Sequence, residues 1–165
     1  MKKTVCLLAL AMSLATSCAS LLGIHYSYAS FRAGNGMARY TVFSDEKDLF
    51  LAVTISSDEV IFFAEEPAMT FQNFNGTTLT LKGSSLGNTG LFLTNAEPST
   101  NYASAQFKVK PDQVDFFQNG IRSVRITTVP NIHERSFRRD KIGRKLYKEL
   151  LSRLKLQDDG RWTAW

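Results

Sequence analysis

Asn75-Gly76 limits what this chain can fold into more than any other pair of residues. It lies between two stretches of strand character, residues 68–74 and 77–82. Asn-Gly is the strongest short-range hairpin signal, because both residues accept the positive φ that tight turns demand. The register is legible too. A two-residue loop would set Phe74 opposite Thr77 and Gln72 opposite Leu79, mixing polar and apolar side chains on each face. A three-residue loop, Phe74-Asn75-Gly76, sets Phe71 opposite Leu79 and Met69 opposite Leu81. Thr70, Gln72, Thr78 and Thr80 then share the other face. A one-residue slip turns every side chain over, so the sorted arrangement is expected, with Gly76 left-handed in a G1 bulge.

The rest of the chain reads mostly as strands. Residues 49–55 are β-branched and aromatic-rich and apolar on both faces, which places them centrally in a sheet. Ser56-Ser57-Asp58-Glu59 breaks the run, and residues 60–63 start another strand. Residues 83–90 read as a turn-rich connection, 91–93 as a short strand, 96–101 as a loop and 105–109 as a strand. Lys110-Pro111-Asp112-Gln113 opens a short helix, with Val114 and Phe117 facing the core and Gly120 ending it. Residues 121–129 return as a strand, with Val124 and Ile126 inward and Arg125 and Thr127 outward. Pro130 ends it.

The last element is a helix expected over about residues 138–156. Ile142, Leu146, Tyr147, Leu150, Leu151 and Leu154 form one apolar stripe at helical spacing. Arg139, Lys141, Arg144, Lys145, Lys148, Arg153 and Lys155 fill much of the remainder. Gly143 weakens the helix by about 1 kcal/mol relative to Ala, which points to a packing reason or a frayed start. The fold class expected is α+β and β-rich. It has about six to eight mainly antiparallel strands in a sandwich or open barrel, one short helix and the C-terminal basic amphipathic helix.

The N-terminus carries a different message. Lys2 and Lys3 precede an apolar run of about a dozen residues, 5–15, that stops short of the roughly 20 needed to span a membrane. This is the pattern of an export signal. Leu14-Ala15-Thr16-Ser17-Cys18 resembles the lipobox of bacterial lipoproteins, although the position three before the cysteine holds Ala15 rather than Leu. The competing cuts lie after Ala19 or Ala29, at small residues that suit ordinary signal peptidase. Cys6 lies inside the removed part, so a mature chain from Cys18 has a single cysteine and no internal disulfide. Lipidation would consume that thiol, and two or three acyl chains anchor stably where one does not. The expected division is a signal over residues 1–17, a tether over 18–37 and a single β-rich domain over 38–165. Gly34-Asn35-Gly36 reads as part of the flexible tether.

Charge separates along the chain. Residues 31–130 hold eight Lys/Arg and ten Asp/Glu, whereas residues 131–165 hold ten and five, so the basic character belongs to the C-terminal part. At 44% hydrophobic and 12% aromatic residues the chain is not disordered by composition.

Pro130-Asn131-Ile132-His133-Glu134 after a strand, followed by Lys141-Ile142-Gly143-Arg144-Lys145-Leu146-Tyr147, resembles small exported, lipoprotein-like β-rich proteins of Bacteroidetes-type bacteria. The resemblance spans about residues 45–155 and implies an envelope location without implying an activity. Surface-displayed lipoproteins of those bacteria usually carry acids just after the lipidated cysteine. Ala19-Ser20-Leu21-Leu22 has none, so a periplasm-facing anchor is the expectation.

No constellation commits the chain to a reaction. His25 and His133 lie far apart and Cys18 is spoken for, so a closed zinc set is not expected. His133-Glu134 would be an acid–base pair only if both faced one pocket. The expected role of residues 130–136 is a capping loop in which His133 packs locally. The neighbouring acids Asp58-Glu59, Glu65-Glu66 and Asp158-Asp159 point to opposite faces of any strand and suit loop solubility. Ser56-Ser57 and Ser84-Ser85 lack the glycines of a nucleophile elbow. Asn75-Gly76-Thr77 matches a glycosylation sequon that the turn already explains. Trp162 and Trp165 suit either a membrane interface or packing against the sheet.

The leading expectation is therefore a non-enzymatic envelope lipoprotein, a binding or scaffolding module, anchored through Cys18 and needing no cofactor or metal. Its partners would be the membrane, other envelope proteins or anionic lipid met by Arg139, Lys141, Arg144, Lys145 and Lys148. Nucleic acid is disfavoured by the export signal and by the lack of aromatic platforms on the polar helix face. Two alternatives stand beside it. One is a small exported hydrolase or carbohydrate-active enzyme with carboxylates from separate strands. The other is a soluble periplasmic protein binding anionic polymers or membranes through its basic helix.

Overall fold

The computed structural model describes residues 28–33, 36–45, 48–87 and 100–158. The eight strands are β1 (Tyr28–Ala33), β2 (Gly36–Asp45), β3 (Asp48–Ser57), β4 (Ala68–Asn73), β5 (Thr78–Gly87), β6 (Asn101–Val109), β7 (Ile121–Thr127) and β8 (Ile132–Ser136). A 3₁₀ helix (Pro111–Asn119) separates β6 from β7, and helix α1 (Gly143–Asp158) follows β8. Every neighbouring pair is antiparallel, in the order β1-β2-β3-β6-β5-β4-β7-β8. The sheet curls until its end strands, β1 and β8, meet in a nearly closed barrel.

Register sorts the side chains into an inner and an outer set. Val42, Tyr40 and Ala38 on β2 oppose Leu51, Val53 and Ile55 on β3. These in turn oppose Phe107, Ala105 and Ala103 on β6. All nine are buried, so bulky and small residues alternate around a filled interior. On the other wall Phe71 sits between Leu79 and Val124, and Met69 between Leu81 and Ile126. Each large apolar side chain buried this way stabilises the fold by about 1.5–3 kcal/mol.

The 3₁₀ helix closes one end by burying Val114 and Phe117, whose ring meets Phe71 edge-on at 5.2 Å. Helix α1 then lies against the 3₁₀ helix, β2 and β3. It buries Leu146 and Leu150, with Ile142 buried just ahead of it and Tyr147, Leu151 and Leu154 packed at the margin.

The hairpin has the expected register, Met69 with Leu81 and Phe71 with Leu79, and Gly76 takes φ 87°. Asn73 Oδ1 accepts from the N–H groups of Asn75 and Thr77, which fixes the loop. The central position of residues 49–55, the short helix from Pro111 and the inward pair Val124 and Ile126 are likewise present.

Five expectations are corrected. Residues 60–63 form no strand but a single bridge, Phe62 with Val129. Pairing stops there because the Asn131 carbonyl is taken by the Thr128 N–H in the turn that follows. Gly83 does not end β5. It occupies a point where a Cβ would fall 2.1 Å from the Gln106 carbonyl oxygen, so the glycine lets two strands approach. Gly36, read as tether, does the same beside Ser56 and belongs to β2, and β1 also falls within the expected tether. Residues 132–136 form strand β8 rather than a capping loop. Helix α1 begins at Gly143, because the Asp140 carboxylate caps it by accepting from the N–H groups of Ile142, Gly143 and Arg144.

Candidate functional site

The start of α1 is held by one acid and two glycines. Asp140 Oδ1 lies 2.8 Å from the Gly143 N–H and also accepts from the Ile121 N–H at the head of β7, 3.0 Å away. A Cβ on Gly143 would come within 2.6 Å of the Ile121 nitrogen, so the helix end sits directly on the backbone of Gly120 and Ile121. Burial alone would raise the Asp140 pKa, but hydrogen bonds from Ile121, Arg144, Gly143 and Ile142 outweigh it and hold the carboxyl below its ordinary value. A charged cap in turn favours the helix N-terminus.

Around this joint the cations collect. Arg139, Lys141, Arg144, Lys145 and Lys148 are all exposed, as is Arg138. None of them forms an ion pair among the described residues. The Phe137 N–H bonds the Arg122 carbonyl at 2.7 Å, which brings exposed Arg122 of β7 to the same joint. Spacing could not have revealed Arg122, since its place depends on the chain folding back beside it.

Beneath the helix lies Tyr40, 1% exposed, with its hydroxyl unpartnered among the described residues. Burial, then the charges of Glu149 and Asp140, push its ionisation well above the ordinary tyrosine range.

His133 is buried on the inner side of β8, whereas Glu134 points outward and opposes Arg125. The two share no pocket. The imidazole instead bonds the Thr128 hydroxyl at 2.9 Å and the Ala33 carbonyl at 3.2 Å. Ser56 donates to the Met37 carbonyl and Ser57 accepts from the Glu59 N–H, so both hydroxyls serve main chain.

Two clefts open on the outer surface. One, of about 490 Å³, is bordered by Arg32, Ser56, Ser57, Asp58 and Thr100. The other, of about 350 Å³, is bordered by Phe50, Glu66, Lys82, Ser84, Gln106 and Lys108. Each has one carboxylate on its lining, so neither presents the facing pair that acid–base hydrolysis of a glycoside requires. Among the described residues no three of His, Cys, Asp or Glu gather as a metal site. No helix among them is long and apolar enough to cross a membrane. Cys18, the expected signal, residues 91–93 and both tryptophans lie outside the described residues. No protein-family model, curated protein or solved structure matches this chain.

Proposed function

We propose that this chain is a non-catalytic module of a bacterial cell envelope, tethered by lipid on Cys18 and docked on an anionic membrane surface by the cationic joint at the start of α1. The observation that carries this reading is the set Arg138, Arg139, Lys141, Arg144, Lys145 and Lys148, exposed together and free of ion pairs among the described residues. A solvated helix face usually intersperses both signs. Here the one acid of the joint, Asp140, is already engaged by four backbone N–H groups. Asp140 keeps its charge while so engaged, and with Glu149 of α1 counted too, residues 138–149 still carry a net charge of +4. Each Lys or Arg beside an anionic membrane contributes about 1 kcal/mol. An acyl anchor supplies residence, and the cationic face supplies orientation.

The test has two parts. Intact mass and fractionation of the mature protein should give a chain starting at Cys18 with added acyl mass, found with the membranes. An unmodified soluble chain starting at Ser20 or Ser30 would end the lipid-anchored reading. A variant with Arg144, Lys145 and Lys148 all changed to Glu should bind phosphatidylglycerol-rich vesicles at least about 100-fold more weakly. Wild-type binding should fall steeply with salt. Binding that ignores both would remove the membrane-docking role.

A further inference from the structure

The smaller outer cleft combines an aromatic ring, a full set of polar groups and no net charge. Register builds it. On the outer face Phe43 of β2 opposes Phe50 of β3, and Phe50 opposes Lys108 of β6. Gly83 of β5 pairs with Phe107, which sets Lys82 beside Lys108 and completes a row across four strands. In the next row Ser84 pairs with Gln106, and Gln106 Nε2 reaches Ser84 Oγ at 3.3 Å. The absent side chain at Gly83 lets β5 close on β6 at this point. The Gly83 N–H also ties β5 to the Pro67 carbonyl, 3.0 Å away, which brings neighbouring Glu66 to the rim.

The chemistry is specific. Phe43 stacks on Phe50 with centroids 5.2 Å apart and planes at 17°, so one face of Phe50 is occupied and the ring is held in a fixed orientation while it borders the cleft. Lys82 and Lys108 would repel as lateral neighbours. Asp48 engages Lys108 at 2.7 Å, and Glu66 stands in the same lining as Lys82. Two cations against two acids leave the cleft formally neutral. That balance disfavours an anion such as a phosphate, which would meet the Glu66 carboxylate and find Lys108 already engaged by Asp48. It also disfavours a cation.

We propose that this cleft binds one or two neutral pyranose rings. The C–H face of a sugar would lie on Phe50, whose ring face is electron-rich. Its hydroxyls would accept from Lys82, Lys108 and Gln106 and donate to Glu66, while Ser84 stays bonded to Gln106. The volume of about 350 Å³ is near the lower limit of ligand pockets and suits a monosaccharide or disaccharide. This site shares no residue with the cationic joint and does not depend on the membrane-docking reading.

The experiment is an amide-shift titration of the intact mature protein with glucose, galactose, mannose, N-acetylglucosamine and glucuronate. At least one neutral sugar is expected to shift the Lys82, Ser84 and Gln106 amides, with millimolar affinity. Glucuronate should bind no more tightly than glucose. Phe50→Ala should weaken binding about tenfold. Because Phe50 is half-buried, exposed Lys82→Ala serves as a surface variant and Gln106→Ala removes a polar side chain outside the apolar core, and each should also weaken binding. The triple Glu variant of α1 should bind sugar normally even when vesicle binding is gone. No shift with any neutral sugar would overturn the proposal. So would tighter binding of glucuronate than glucose, or shifts that survive all three cleft variants unchanged.

Discussion

His133 on β8 and Ala33 on β1 join the two ends of the sheet through a hydrogen bond of 3.2 Å between residues 100 apart in the chain. A carbonyl can only accept, so Nδ1 carries the proton. Thr128 Oγ1 has a single proton and two acceptors in reach, His133 Nε2 at 2.9 Å and the Asn131 carbonyl at 2.8 Å. With a neutral imidazole the hydroxyl donates to Nε2. Both ring nitrogens are thus bonded, as a residue only 1% exposed requires. Phe31 and Phe137 meet edge-on at 5.8 Å along the same seam.

This arrangement makes the seam vulnerable at one side chain. His133→Ala should cost about 2–4 kcal/mol, since it opens a cavity and leaves the buried Ala33 carbonyl without its imidazole partner, while the Thr128 hydroxyl can turn to Asn131. Thr128→Val should cost about 1–3 kcal/mol by leaving Nε2 unpaired. In urea unfolding, the double variant should lose less than the sum of the single losses, because both remove one network. Strict additivity would show that the two residues act separately.

The Asp140 cap makes stability depend on acid. The carboxyl is depressed when folded and titrates near 3.9 when unfolded, so the charged cap stabilises above about pH 4. That contribution disappears as pH falls through the folded value. Asp140→Asn should therefore be less stable than wild type at neutral pH, and the gap should close below about pH 4. Asp140→Ala should cost about 1–2 kcal/mol at neutral pH, as for other cap deletions. A gap between wild type and Asn that is equal at pH 3 and pH 7 would mean that the charge contributes nothing.

Tyr40 governs the alkaline limb. Its folded ionisation is raised, so its neutral form favours folding below the unfolded value of about 10, and that advantage is lost as pH rises beyond it. Tyr40→Phe should flatten the loss of stability above about pH 10. At neutral pH the substitution should be neutral or stabilising by up to about 1 kcal/mol, because a buried hydroxyl without a partner contributes nothing to offset its desolvation. A loss larger than about 1 kcal/mol at pH 7 would show that the hydroxyl is bonded.

What was legible in the chain was local. The Asn75-Gly76 hairpin could be registered to the residue, because strand alternation and turn chemistry act within a few positions of each other. Strand β8 was not legible, since Ile132–Ser136 is short, polar on most positions and adjacent to Pro130. Gly36 and Gly83 look like breakers in one dimension and are contact points in three. Asp140 went unread as the cap because the apolar stripe begins before the helix does, at Ile142. The cationic helix residues were visible as a run. Arg122 at their joint, and the Phe50–Lys108–Lys82 row of the cleft, exist only through pairings between distant strands.

Gly143 sets intrinsic propensity against packing. Replacing a helical glycine by alanine ordinarily gains about 1 kcal/mol. Here the added methyl would meet backbone on three sides, 2.6 Å from the Ile121 nitrogen, 2.7 Å from the Gly120 Cα and 2.8 Å from the Gly120 carbonyl carbon. Backbone cannot move aside as a flexible side chain can, so the helix must lift from the head of β7. Lifting it stretches the Asp140 bond to Ile121, since that carboxylate spans both elements. Overpacking costs about 1–3 kcal/mol and should outweigh the propensity gain. Gly143→Ala should lower the urea midpoint and raise amide exchange at Ile121. An unchanged or higher midpoint would show that the joint yields, and that the glycine serves the helix start rather than its seat on β7.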